Sequence, residues 1–176
     1  MQSDEATEVS SGPRVAEARH AAKALLKSAK ITDAPVVLNK VIKIVPRSYN
    51  LVIKGTKDPA HIPVGCDAFT YRDDTITVIG YDERVAPVRQ KFSVAHELGH
   101  LYMGHMHGQS SIDLNSANND EVEANKFAAQ LIMPPEMLRK DIKSGIKDVK
   151  QLAKLYVVSE DAMWWQVTNS GLLKLF

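Results

Sequence analysis

Apolar residues recur along this chain with two different periods, and the changes of period divide it into elements. From Pro13 onward, Val15, Ala18, Ala22, Leu25 and Leu26 fall on one side of a helix while Arg19, Lys23 and Lys27 fall on another, the three-to-four-residue repeat of an amphipathic helix. Pro35 opens a second short helix carrying Val36, Val37, Val41 and Ile44, and Pro46 closes it. Leu51-Val52-Ile53 reads as a strand. Residues 64–71 and 75–80 read as two more, joined across Arg72-Asp73-Asp74 as a hairpin. The helical period returns near Pro87 with Phe92, Val94, Ala95, Leu98, Leu101 and Tyr102, and stops near Gly104. Residues 106–119, rich in glycine, serine and asparagine, are expected to form a loop. Asn119 or Asp120 is expected to cap the next helix, which carries Val122, Phe127, Ala128, Leu131 and Ile132 and halts at Pro134-Pro135. Short helices are predicted over 135–143, 147–156 and 160–170. Strands bunched early and helices later make an α+β fold.

Composition narrows this little. The chain has 176 residues, 44% of them hydrophobic and 24% charged, with a formal net charge of +1, which suits an ordinary globular protein of one domain with a small appendage. That charge offers no electrostatic argument for nucleic acid or an anionic membrane. Cys66 is the single cysteine, so no internal disulfide forms and an oxidising compartment is not implied. Residues 1–12 are polar, include Asp4, Glu5 and Glu8, and are expected to be disordered rather than a signal peptide. No apolar run approaches the ~20 residues that span a bilayer. A cytoplasmic protein with no membrane partner is expected.

The chemistry sits in His96-Glu97-Leu98-Gly99-His100 and in Glu121-Val122-Glu123-Ala124-Asn125. Residues four apart on a helix share a face, so His96 and His100 can aim both rings at one ion. Glu97 lies about 100° round the helix, placed to reach a water rather than to ligate. Gly99 stands inside a helix at a cost of about 1 kcal/mol against alanine, which points to a close neighbour there. Two imidazoles and one carboxylate leave a fourth tetrahedral position open, as in catalytic zinc sites. Two glutamates compete to be the third ligand. If Glu121 faces the metal, Asn125 follows one turn later and its amide oxygen can accept a hydrogen bond from a ligating histidine. If Glu123 does, Phe127 follows and offers no such bond. The argument favours Glu121, with Glu123 then a solvated side chain near a helix start.

With these blocks in view, residues 90–100 together with the run Glu121 to Pro134 resemble the ImmA/IrrE family of zinc metallo-endopeptidases, and the likeness extends over about 30–170. It implies one zinc ion per chain held by His96, His100 and Glu121, with Glu97 as general base. It implies an α+β fold in which a small mixed or antiparallel sheet packs on a zincin-like helix and a second, Glu-bearing helix. Residues 13–145 would form the metallopeptidase domain and 146–176 a C-terminal helix-turn-helix-like pair packed on it or appended to it. Studied members cut a partner transcriptional repressor, so the implied partner is a protein substrate of that kind.

Other features carry alternatives. Tyr102, Tyr156, His105 and His107 are candidate oxyanion donors, none of them favoured by spacing. His105 and His107 do not fall at metzincin positions and read as residues at a helix C-terminus, where positive charge is favoured. Cys66 could act as an inhibitory thiolate, though a small buried cysteine in a strand is the plainer reading. The strand at 75–80 could offer a sheet edge to an extended substrate or be an ordinary half-buried strand. Of Trp164-Trp165, one ring is expected to pack and the other to stay half exposed. The helix opening Ser159-Glu160-Asp161 starts acidic, which disfavours phosphate contact, so direct nucleic-acid binding is not expected. Beside the peptidase stand two competing readings: a protein-binding antagonist that does not cut, and a DNA-binding regulator with structural zinc. The oligomeric state is left open.

Overall fold

The computed structural model describes residues 12–105, 108–110 and 117–176. Among them are seven α-helices and a four-stranded sheet. The helix α1 (Val15–Ser28) leads through α2 (Leu38–Ile42) to the strand β1 (Leu51–Thr56). The hairpin β2 (Ala68–Arg72) and β3 (Thr77–Asp82) precedes the long helix α3 (Pro87–Met103). A short strand β4 (Gly108–Ser110) separates α3 from α4 (Asn119–Ile132). Then come α5 (Pro135–Lys143), α6 (Val149–Tyr156) and α7 (Glu160–Asn169). The fold is α+β with a mixed sheet, as the pattern of periods predicts. The expectation of a disordered N-terminus concerns residues that, Gly12 apart, lie outside the described ones.

The strand order is β1-β3-β2-β4, with β1 parallel to β3 and β2 antiparallel to both β3 and β4. This corrects two expectations. β3 lies inside the sheet, both of its edges already paired, so it cannot offer an edge to a substrate. The stretch read as a loop contains β4, whose main chain pairs with Ala68, Phe69 and Thr70 of β2; three residues are too few to show a period-two pattern. The first hairpin strand is also shorter than expected. Val64 is fully exposed in the turn before it, and Cys66, half-buried, donates its N–H to the Pro63 carbonyl at 3.0 Å there rather than lying in a strand.

Register decides which residues meet α3. Ile53, Ile79 and Thr70 form one row across three strands, and side chains in such a row share a face. Ile79 in that row is fully buried, so Thr70 is carried to the helix side. The hairpin turn is closed locally by Asp73, whose carboxylate accepts from the Thr75 hydroxyl at 2.7 Å, Thr75 N at 2.7 Å, Ile76 N at 2.9 Å and the Tyr71 hydroxyl at 3.1 Å. These bonds hold the Asp73 carboxyl down at about 2.

One apolar core runs from Ala18, Ala22 and Leu25 of α1, through Leu98 of α3 and Phe127 and Leu131 of α4, to Leu152, Met163 and Val167 of α6 and α7. The C-terminal pair shares this core. Its turn places Val157 at φ 55 as the cap of α6, and Lys91 of α3 donates to the Tyr156 carbonyl at 2.6 Å. Trp164 stays exposed, while Trp165 is partly covered, with the Lys126 ammonium 4.3 Å above its ring. No described helix is long and apolar enough to cross a membrane.

Candidate metal centre

Helix α3 starts with Pro87 at its first position, where the missing N–H costs nothing. It ends because Gly104 takes φ +75, a left-handed cap that lets Gly104 N reach the Leu101 carbonyl and His105 N reach that of His100. α4 is capped one residue earlier than expected, by Asn118, whose side chain accepts from Asp120 N at 2.9 Å. The two helices touch at Gly99. A Cβ there would lie 2.9 Å from Ala124 Cα and 3.2 Å from Phe127 Cβ, so only glycine permits this approach, and the close neighbour implied by the sequence is the backbone of α4.

That approach brings His96, His100 and Glu121 together. The two Nε2 atoms are 3.0 Å apart, His96 Nε2 is 3.2 Å from one Glu121 oxygen and His100 Nε2 is 3.4 Å from the other. Both histidines are buried, whereas the Glu121 side chain keeps 21% exposure, so the cluster opens to solvent on the glutamate side. The donors suit a cation. Metal–ligand bonds of about 2.0–2.1 Å in a tetrahedron put ligand atoms about 3.4 Å apart. Two imidazole nitrogens that face each other repel when both present lone pairs, and Glu121 Oε2 is buried with no hydrogen-bond partner; a shared divalent ion satisfies all three. Burial pushes the Glu121 carboxyl upward, but His100 and His96 outweigh that and hold it at about 2, so it is ionised and ready to coordinate.

Glu97 is buried beside them, and its Oε2 accepts from the Thr70 hydroxyl at 2.6 Å. Sequence reasoning missed Thr70, because only strand register carries it to α3. Asn125 lies where expected: its Oδ1 is 2.9 Å from His96 Nδ1. The expectation for Glu123 is corrected. It is 3% exposed rather than solvated, and it takes Arg14 N at 2.7 Å on Oε1 and Arg14 Nη2 at 2.7 Å on Oε2. His105, read as an incidental residue at a helix end, is 2.8 Å from His100 Nδ1 through its own Nδ1 and 2.9 Å from Glu123 Oε2 through Nε2.

Of the candidate oxyanion donors, Tyr156 gives its hydroxyl to Asp141 at 2.6 Å, and Tyr102 stacks on Phe127. His105 is engaged as described, and His107 lies outside the described residues. Burial, with Glu97, Asp67 and Glu121 nearby, pushes the Cys66 thiol up.

No curated protein matches the chain. A family model described as the IrrE N-terminal-like domain, Peptidase_M78, matches residues 64–163. The matched span runs from the turn before β2 into α7 and so contains Thr70, the histidine pair, Glu97 and Glu121. The cluster able to hold a metal, and Glu97 beside it, are thus found in a chain that belongs to the IrrE N-terminal-like peptidase family.

Proposed function

We propose that this protein is a zinc-dependent endopeptidase in which His96, His100 and Glu121 hold one ion and Glu97 is the general base. The observation that carries the reading is the convergence of two imidazole nitrogens and one ionised carboxylate within 3.0–3.4 Å of one another, with Glu97 next in sequence on the same helix. A zinc ion held there supplies Lewis-acid chemistry, lowering the pKa of water toward about 7 and polarising a carbonyl oxygen. Glu97 does the proton work. Its carboxylate takes a proton from the attacking water and passes it to the leaving amine nitrogen as the peptide bond breaks. Thr70 fixes one oxygen of that carboxylate and so its orientation. Asn125 accepts the Nδ1 proton of His96, which leaves His96 Nε2 as a lone pair aimed at the ion. Three protein donors leave room for water and substrate, unlike a closed structural site.

The substrate we assign is a partner regulatory protein, a DNA-binding transcriptional repressor met in the cytoplasm, which the family resemblance supports. The acidic start of α7, Glu160 and Asp161, supports a protein rather than nucleic acid as the partner. The test is to incubate the zinc-loaded protein with candidate repressors and read fragments by intact mass. Glu97→Gln is expected to keep its zinc and lose cleavage by about 10²–10⁴-fold, and His100→Ala to lose both. A Glu97→Gln variant that cuts at the parental rate would falsify the mechanism. One that still neutralises its repressor without cutting would make the protein a sequestering antagonist instead.

A further inference from the structure

The two histidines of the cluster are supported very differently. His96 leans on a neutral amide. His100 leans on His105, which leans on Glu123, which is held by Arg14. We infer that His105, Glu123 and Arg14 form a positioning relay that orients His100 and fixes which of its nitrogens is available to the metal. The inference rests on the zinc reading above.

The proton count leads along one path. If His100 coordinates through Nε2, its remaining proton sits on Nδ1. His100 Nδ1–H then donates to His105 Nδ1, 2.8 Å away. With that nitrogen accepting, neutral His105 carries its own proton on Nε2 and donates to Glu123 Oε2 at 2.9 Å. The reverse direction would put the His100 proton on Nε2 and block coordination. Glu123 settles the direction because both of its oxygens already accept from Arg14, Oε1 from the backbone N and Oε2 from Nη2, each at 2.7 Å, so towards His105 it stands as an acceptor.

Arg14 is also what distinguishes this cluster from a second cation site. His105, Asp120 and Glu123 could offer a ligand atom each, but the guanidinium already occupies Glu123. Its Nη2 donates to Glu123 Oε2 at 2.7 Å and to the Met103 carbonyl, the last of α3, at 3.0 Å. The 3.4 Å between Arg14 Nη2 and His105 Nε2 is the separation of two donors that share one acceptor. Asp120, 3.4 Å from His105 Nε2, is exposed. The relay therefore ties the start of α1, the end of α3 and the second turn of α4 to one ring.

The experiment measures zinc affinity by competition with a chromophoric chelator, independently of proteolysis. His105→Leu is expected to weaken binding about 10–100-fold, the usual effect of removing such a support. His105→Gln, whose amide can accept from His100 and donate to Glu123, is expected to recover most of it. A long-range 1H–15N spectrum of the zinc-loaded parent should show His105 protonated at Nε2 and not at Nδ1, a readout that needs no variant to fold. Unchanged affinity in His105→Leu, a proton on His105 Nδ1, or a second zinc equivalent lost with His105 would each overturn the relay. Failure of the parent to bind zinc, or His100→Ala binding as tightly as the parent, would overturn the zinc reading itself.

Discussion

Helices α3 and α4 bury His96, Glu97, His100, Glu123 and Asn125 between and beside them, whereas α6 and α7 bury Leu152, Ala153, Tyr156, Ala162, Met163 and Val167. Both pairs belong to one core, and both hide polar groups: in the second pair Gln166 donates to the Met133 carbonyl at 2.8 Å, whereas in the first Glu121 Oε2 has no hydrogen-bond partner. The difference lies in what burial achieves. In the C-terminal pair it removes apolar area from water, and any side chain of similar volume would do nearly as well. In the α3–α4 pair each buried polar group needs a specific partner, since an unpaired one costs about 1–3 kcal/mol. Those partners are Arg14 at the cap of α1, Thr70 of β2, Asn125 of α4 and His105 just beyond the cap of α3. Hydrocarbon at those positions would need no such partners.

Substitutions that separate stability from chemistry test this contrast. The largest effect is expected for Glu97→Gln, which should lower cleavage by about 10²–10⁴-fold with no comparable fall in the unfolding midpoint. A parallel collapse of stability would show that Glu97 is held for structure. Leu152→Ala in the apolar pair should do the opposite, losing about 2–5 kcal/mol of stability in denaturant unfolding while the folded fraction keeps its zinc affinity. Gly99→Ala should blur the two classes. Its methyl group meets the α4 backbone, so overpacking of about 1–3 kcal/mol is expected together with weaker zinc binding, because Glu121 rides on the displaced helix. Retention of parental affinity in that variant would mean that the α3–α4 spacing does not set the cluster.

The smallest effect is expected at the hairpin turn. Asp73 is held at about 2 against an ordinary 3.8. Its folded-state value is depressed, so its contribution is complete above the unfolded value and is lost as the pH falls from about 4 toward 2. Asp73→Asn should flatten that part of the acid-unfolding profile and leave zinc binding at neutral pH unchanged. An unchanged profile would assign the hairpin's stability to its strands rather than to the turn.

Much of the site could be read from the chain because it is local in sequence. His96 and His100 are one helical turn apart, and Asn125 follows Glu121 at the same interval, so helix geometry alone predicts both pairings. Element boundaries marked by proline or glycine, at Pro87, Gly104 and Pro134, were legible for the same reason. Glu123, His105 and β3 were not. The character of Glu123 depends on Arg14, 109 residues away. That of β3 depends on β1 returning beside it in parallel, which no period within either strand reveals.

The sequence by itself determined the helical and strand periods, the spacing of the histidine pair and Glu97, and the glycine that lets two helices meet. Those are short-range properties, set by backbone geometry over one or two turns. Only the tertiary structure decided that Glu123 is buried against Arg14 rather than solvated, that Thr70 meets Glu97, and that His105 and Arg14 stand behind His100. Such assignments depend on the direction in which distant elements bring their side chains together, and that direction is fixed by strand register and helix packing rather than by any local repeat.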